Sequence, residues 1–96
     1  MNNNPKLDNF SFNVLSNLTN LNLEGSQLIE FQNNNLDSLK YLTIRGSLTE
    51  FKNNNLSSVT LLDLTGNNIR TIVNLSTYKK LQILFLTGNA FPIFSG

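Results

Sequence analysis

The chain has 96 residues, of which 40% are hydrophobic and 14% are charged, and its formal net charge is +1. This composition is typical of a folded domain and excludes an intrinsically disordered chain. The small net charge disfavours a partner held mainly by charge, so we expect neither nucleic acid nor an anionic membrane as a partner. No apolar run reaches the length of about 18 residues that a membrane span needs, so no membrane insertion is expected.

Cysteine and histidine are both absent from the sequence. Without cysteine the chain has no disulfide framework and no thiolate metal site, which favours a reducing compartment. We therefore expect a cytoplasmic protein, with the cell surface as the alternative for part of a longer chain. Residues 1–6 are polar and lead into no continuous apolar segment, so they do not resemble a signal peptide.

One short pattern occurs four times, at 18–28, 39–48, 59–69 and 81–91, and its copies begin 21, 20 and 22 residues apart. Within each copy the apolar residues alternate, as Leu62 and Leu64 do around Asp63. This period of two predicts a strand with its leucines on one side. The rest of each repeat then returns the chain to the start of the next strand, which closes one coil of a right-handed parallel solenoid.

The segments between these strands repeat as well. Apolar residues at 7, 10, 15 and 18 have the same spacing as those at 28, 31, 36 and 39, and as those at 48, 51, 56 and 59. We therefore expect one domain over 1–96, with a partial repeat at 7–17, repeats that begin at 18, 39 and 59, and an incomplete repeat at 81–96. Since solenoids need polar capping repeats and none is seen, we expect either an excerpt of a longer array or ends that another copy covers.

The sequence is rich in asparagine, with runs at 33–35 and 53–55 that fall at the same place in successive repeats. Each run lies between a phenylalanine and a leucine that are expected to be buried. Because asparagine tolerates turns and left-handed backbone conformations, the runs predict tight connections on the convex side. We interpret them as structural.

The repeated pattern resembles the L-x-x-L-x-L-x-x-N-x-L motif of the leucine-rich repeat family, and it covers nearly the whole chain. Its short period resembles the internalin-like class rather than repeats that carry a full helix. The resemblance implies an α/β fold: a right-handed solenoid with a parallel β-sheet on its concave face and turns or short 3-10 helix on its convex face. It also implies that the chain is an interaction module, with a partner that the fold does not fix.

The turn after each strand carries further signals. Asn67 and Asn89 resemble the family's asparagine ladder, in which side-chain amides satisfy backbone groups of the turn. Ser26 and Ser47 replace asparagine in the other two copies, and their shorter hydroxyls predict looser turns. A glycine precedes each ladder position, at 25, 46, 66 and 88, and predicts either a positive φ or too little room for a side chain there. The copy at 39–48 lacks one residue, which predicts a local kink.

Alternation also identifies the side chains on the open side of the concave sheet. They are Asn20, Asn22 and Glu24; Tyr41, Thr43 and Arg45; Leu61, Asp63 and Thr65; and Ile83, Phe85 and Thr87. Exposed apolar clusters mark interaction sites, and tyrosine and arginine are enriched in binding hot spots. We therefore expect a protein partner to contact Tyr41, Arg45, Leu61, Asp63, Ile83 and Phe85. The alternative is that a neighbouring loop or the rest of a longer chain covers the apolar residues.

The charged residues give little support for a catalytic site. Glu24 and Asp63 are the only carboxylates expected on the open side, about 10 Å apart, with Arg45 between them. Arg45 and Asp63 are expected to form an ion pair, and Lys79 and Lys80 to lie in a solvated turn before the fourth strand.

The sequence leads to three interpretations of function. The sequence offers no catalytic base or nucleophile and no convergent metal ligands, so we expect no enzyme activity, no metal and no cofactor. The leading interpretation is a protein-binding module that uses the concave sheet. The alternative is a structural spacer or self-assembly unit whose uncapped ends stack copy on copy.

Overall fold

The computed structural model describes residues 9–11, 13–25, 27–72 and 75–91. Within them the strands are β1 (Asn9–Ser11), β2 (Asn20–Glu24), β3 (Glu30–Gln32), β4 (Tyr41–Arg45), β5 (Glu50–Lys52), β6 (Leu61–Asp63) and β7 (Ile83–Phe85). One 3-10 helix, Leu75–Thr77, precedes β7 and is the whole helical content of the described residues. The described residues thus form a solenoid of parallel strands with almost no helix, and the expected α/β class stays a prediction.

The strands form two parallel sheets, one with the order β2-β4-β6-β7 and one with the order β1-β3-β5. Because the chain passes from one sheet to the other before it returns, it winds into a solenoid of stacked coils. In the four-stranded sheet Leu21, Leu42, Leu62 and Leu84 are register partners in one row. The prediction of a parallel solenoid whose leucines stack coil on coil is confirmed.

The three-stranded sheet is not predicted by the sequence pattern, which indicates only turns on that side. Its strands place Phe10, Phe31 and Phe51 in register. The rings stack with centroids 5.0 and 5.5 Å apart and with interplanar angles of 7° and 14°. Stacked aromatic side chains stabilise paired strands. In the next coil Ile72 occupies the equivalent position, and the described residues there form the 3-10 helix instead of a strand.

One hydrophobic core fills the space between the two sheets. Its fully buried members include Leu42, Ile44 and Leu62 from the middle strands of the four-stranded sheet, and Leu64 directly after β6. The other buried residues are Leu28, Phe31, Leu36, Leu39, Leu48, Phe51, Leu56, Val59, Ile69 and Tyr78. Leucines of β2 and β7 are only half-buried, because the described coils cover them on one side alone.

Glycine turns connect the four-stranded sheet to the rest of each coil. Gly25, Gly66 and Gly88 have φ values of 75°, 75° and 73°, and Gly46 has a φ of 150°. The predicted positive φ is therefore confirmed at all four positions. The turn at Gly46, which is one residue shorter, has a different backbone conformation, whereas the kink in the solenoid and the looser turn at Ser47 stay predictions. Ser26 lies outside the described residues.

Replacing Gly88 with alanine is expected to cost more stability than replacing Gly25, although both have nearly the same φ. A Cβ at residue 88 would lie 3.2 Å from Gly66 N and 3.3 Å from Gly66 Cα, whereas a Cβ at residue 25 meets nothing within 4 Å. We expect Gly25→Ala to cost about 1 kcal/mol from φ alone, and Gly88→Ala about 2–3 kcal/mol. Urea unfolding of both variants measures the difference, and equal losses would contradict the expected backbone contact.

Candidate functional site

The four-stranded sheet presents an outward side, here called the open face, which consists of the outward residues of β2, β4, β6 and β7. The register places Tyr41, Leu61 and Ile83 in one row, and Thr43, Asp63 and Phe85 in the next. Tyr41, Ile83 and Phe85 are 48%, 45% and 47% exposed, and Leu61 is partly exposed. The structure therefore brings Tyr41, Leu61, Ile83 and Phe85 together as one group, here called the apolar patch.

The predicted ion pair between Arg45 and Asp63 is wrong. Thr43, not Arg45, is the register partner of Asp63, so the two charged residues are offset along their strands. The Asp63 carboxylate accepts a hydrogen bond from Thr65 N at 3.0 Å. Arg45 extends over Gly66, with its Cγ 3.3 Å from the position that a Cβ there would occupy. No nitrogen–oxygen contact within 4.0 Å joins this arginine to this aspartate.

The part of the open face on β2 is polar and bonded within its own strand. The Asn22 side chain accepts a hydrogen bond from Glu24 N at 2.9 Å and donates to Glu24 Oε1 at 3.4 Å. Strand β4 separates Glu24 from Asp63, so these carboxylates do not converge. Within the described ranges no group of three or more acidic side chains is arranged to hold a metal ion.

An asparagine ladder fixes the turns at the carboxyl ends of the open-face strands. The Asn67 side chain accepts from Leu48 N at 3.1 Å and donates to Ile44 O and Leu64 O at 2.8 and 2.9 Å. Asn89 repeats this arrangement one coil later. The predicted ladder at these two positions is confirmed, and it ties the backbone of each coil to that of its neighbour.

A second asparagine ladder, which the sequence pattern does not identify, lies on the opposite side of the coil. Asn34 Oδ1 accepts hydrogen bonds from the backbone and side chain of Asn13, both at 3.0 Å. Asn54 Oδ1 accepts the equivalent bonds from Asn34 at 3.1 and 2.9 Å. The buried amide groups of Asn34 and Asn54 donate to Phe10 O and Phe31 O. The signal available in the sequence is the recurrence of asparagine at 13, 34 and 54, with the period of the repeats.

The neighbouring asparagines form the expected tight turns. Asn33 and Asn53 are left-handed, with φ values of 58° and 56°. Asn55 donates its side-chain amide to Asn35 Oδ1 at 3.0 Å on the surface. The prediction of left-handed connections at these runs is confirmed.

Compared with models of known protein families, with curated proteins and with solved structures, the chain gives no match. Among the described residues no helix has both the length and the apolar character that crossing a bilayer requires. The interpretation of the open face therefore depends on the residues of this chain alone.

Replacing Asn54 with alanine is expected to destabilise the fold by about 2–3 kcal/mol, because it leaves the buried Asn34 N without its acceptor and removes a side-chain donor to Phe31 O. The matched control is Asn55→Ala, which removes an exposed asparagine from the same run and should cost less than about 1 kcal/mol. Thermal and urea unfolding compare the two variants. Similar losses would show that the second ladder contributes nothing specific.

Tyr78 makes the stability of the fold depend on pH. This side chain is buried at the position that leucine occupies in the preceding coils, and its hydroxyl has no hydrogen-bond partner within the described part of the chain. Desolvation raises the pKa of Tyr78 from 10.0 to about 12. The folded state therefore holds this proton more tightly than the unfolded state, so stability present below pH 10 is lost as the pH rises towards about 12.

The variant Tyr78→Phe is expected to lose less stability than the wild type between about pH 9 and about pH 11. It should also be about 1 kcal/mol more stable at neutral pH, because an unpaired buried hydroxyl is removed. Urea unfolding at each pH measures both effects. A parallel decline of the two proteins with pH would assign the alkaline loss to other groups.

Proposed function

We propose that this chain is a leucine-rich repeat module of the short, internalin-like class, a right-handed α/β solenoid whose open face binds a protein partner. The observation that carries the proposal is the row of Tyr41, Leu61 and Ile83, joined by Phe85 in the next row. Large apolar side chains that stay about half exposed on regular strands are typical of interaction surfaces.

The apolar patch is not needed for the core. The inward residues of the same strands, such as Leu42 and Leu62, are fully buried and already complete the interior. On β2 the equivalent outward position is Asn20, the register partner of Tyr41, so the fold accepts a polar residue there. The apolar character of the patch is therefore explained by a contact outside the coil rather than by folding.

Arg45 and Asp63 supply the polar side of the proposed interface. Because the stem of Arg45 packs over Gly66, its guanidinium is carried past the end of β6. Asp63 lies between Thr43 and Phe85 in the second row, where a partner's donor can reach its carboxylate. Polar groups around an apolar centre fix orientation and exclude wrong partners more than they add affinity.

The double variant Tyr41→Ser with Phe85→Ser is expected to weaken partner binding at least about tenfold, since hot-spot aromatics typically contribute 2 kcal/mol or more. A photo-crosslinking residue at Leu61 first captures and identifies the partner, and titration calorimetry then measures its affinity. The matched control is Val14→Ser with Ile29→Ser, which removes apolar side chains that are 70% and 44% exposed away from the open face.

Both double variants should keep the wild-type circular dichroism spectrum and lose no more than about 2 kcal/mol of stability, because each removes two partly buried apolar side chains. The proposal fails if the partner binds the open-face variant as tightly as it binds the control. It also fails if no protein is crosslinked through position 61.

A further inference from the structure

A row of polar residues borders the apolar patch at the amino ends of the strands. Lys40, Thr60 and Gln82 directly precede the outermost patch residues of β4, β6 and β7. Lys40 O accepts a hydrogen bond from Thr60 N, and Thr60 O accepts one from Gln82 N, both at 2.9 Å. These bonds align the three residues in one line, so the exposed Lys40 lies beside the first member of the patch.

Two more lysines lie at the same edge of the sheet, before the amino end of β7. Lys79 and Lys80 are exposed in the turn that leads into β7, and a hydrogen bond from Leu81 N to Tyr78 O closes that turn. The equivalent turn before β4 contributes Asp37. This edge of the open face, here called the basic border, thus has three lysines against one aspartate.

The opposite edge has a different balance of charge. At the carboxyl ends of the open-face strands Glu24 and Asp63 are set against Arg45 and, farther along the chain, Arg70. The chain as a whole is close to neutral, so the contrast arises from where the charges stand on the sheet. A ligand on the apolar patch therefore meets an excess of positive charge at the basic border and balanced charge at the opposite edge.

We propose that the open face binds a short, extended, acidic segment of its protein partner, with apolar side chains on the patch and carboxylates towards the basic border. This inference rests on the proposed function and adds the chemistry of the partner. The patch spans about 10 Å from Tyr41 to Ile83 at ordinary strand spacing, which about three extended residues cover. Complementary charge at the border fixes the direction in which the segment lies.

Single-stranded nucleic acid is the other ligand that combines negative charge with aromatic contacts, and the patch fits it less well. Bases stack on aromatic rings, but Leu61 and Ile83 separate Tyr41 from Phe85 in the two rows. Asp63, next to Phe85, would repel a phosphate backbone. Aliphatic side chains suit the apolar residues of a peptide instead.

The test is selection of random twelve-residue peptides, displayed on phage, against the full chain. We expect enriched peptides to combine aspartate or glutamate with apolar residues. A synthetic copy of the best peptide is then titrated into Lys40→Gln with Lys80→Gln, which removes two charges from the basic border. Binding should weaken roughly three- to tenfold, as loss of two exposed ion pairs predicts, and the loss should shrink at high salt.

The matched control is Lys52→Gln with Arg70→Gln, which removes the same charge from the opposite sheet and from beyond the carboxyl ends of the strands. Its affinity for the peptide should equal that of the wild type. Equal weakening in both variants, or peptides without acidic enrichment, would overturn the inference.

The outcomes separate this inference from the proposed function. Selected peptides that bind the lysine variant as tightly as the wild type, but do not bind Tyr41→Ser with Phe85→Ser, would show that the open face binds protein and that the acidic preference is wrong. If no peptide depends on those two aromatic residues, both proposals fail. A twelve-nucleotide poly-thymidine probe that binds with the same lysine dependence would overturn the inference in favour of nucleic acid.

Discussion

Stacking of apolar rows between neighbouring coils is the interaction on which the whole structure depends. A single coil exposes its leucines, and only a second coil in register can cover them. Leu42 and Leu62, with a described coil on both sides, are fully buried, whereas Leu21 and Leu84 at the outer strands are half-buried. Each apolar row therefore gains its stability from its neighbours, and any change that shifts one coil disturbs the next.

Hydrophobic stacking alone does not set the register, and the two asparagine ladders supply that constraint. Leucines tolerate small sliding, but a side-chain amide must meet a backbone group at hydrogen-bond distance. Asn67 bonds to both the preceding coil and its own, and Asn54 links to the coil of Asn34. The ladder of Asn34 and Asn54 joins the earlier coils, and the ladder of Asn67 and Asn89 joins the later ones. The two ladders meet in the coil that contains Leu48 and Asn54, so an unbroken series of side-chain amides keeps successive strands in line.

Features that depend on residue spacing were predictable, whereas features that depend on packing were not. The recurrence of leucine predicts the row from Leu21 to Leu84, and glycine before Asn67 predicts the left-handed turn. The second sheet escaped prediction because each of its strands carries a single apolar residue and so shows no alternation, although the phenylalanines that stack there were expected to be buried. The Arg45–Asp63 pair failed because alternation shows which side a residue faces but not its offset from its neighbour. The members of the apolar patch could be chosen from alternation alone, but their shared row required the register.

The two sheets are built in the same way and yet differ on their outward sides. On the three-stranded sheet Glu30 and Glu50 are register partners, an unfavourable pairing that is relieved by a hydrogen bond from Asn9 and an ion pair with Lys52. Polar and charged side chains that pair with one another in this way are typical of a surface exposed to solvent. On the four-stranded sheet the corresponding positions of β4, β6 and β7 carry large apolar side chains with no equivalent compensation. Since core and ladders fix only the inward residues, the outward residues are free to differ between coils, and this difference is where a binding function can be encoded.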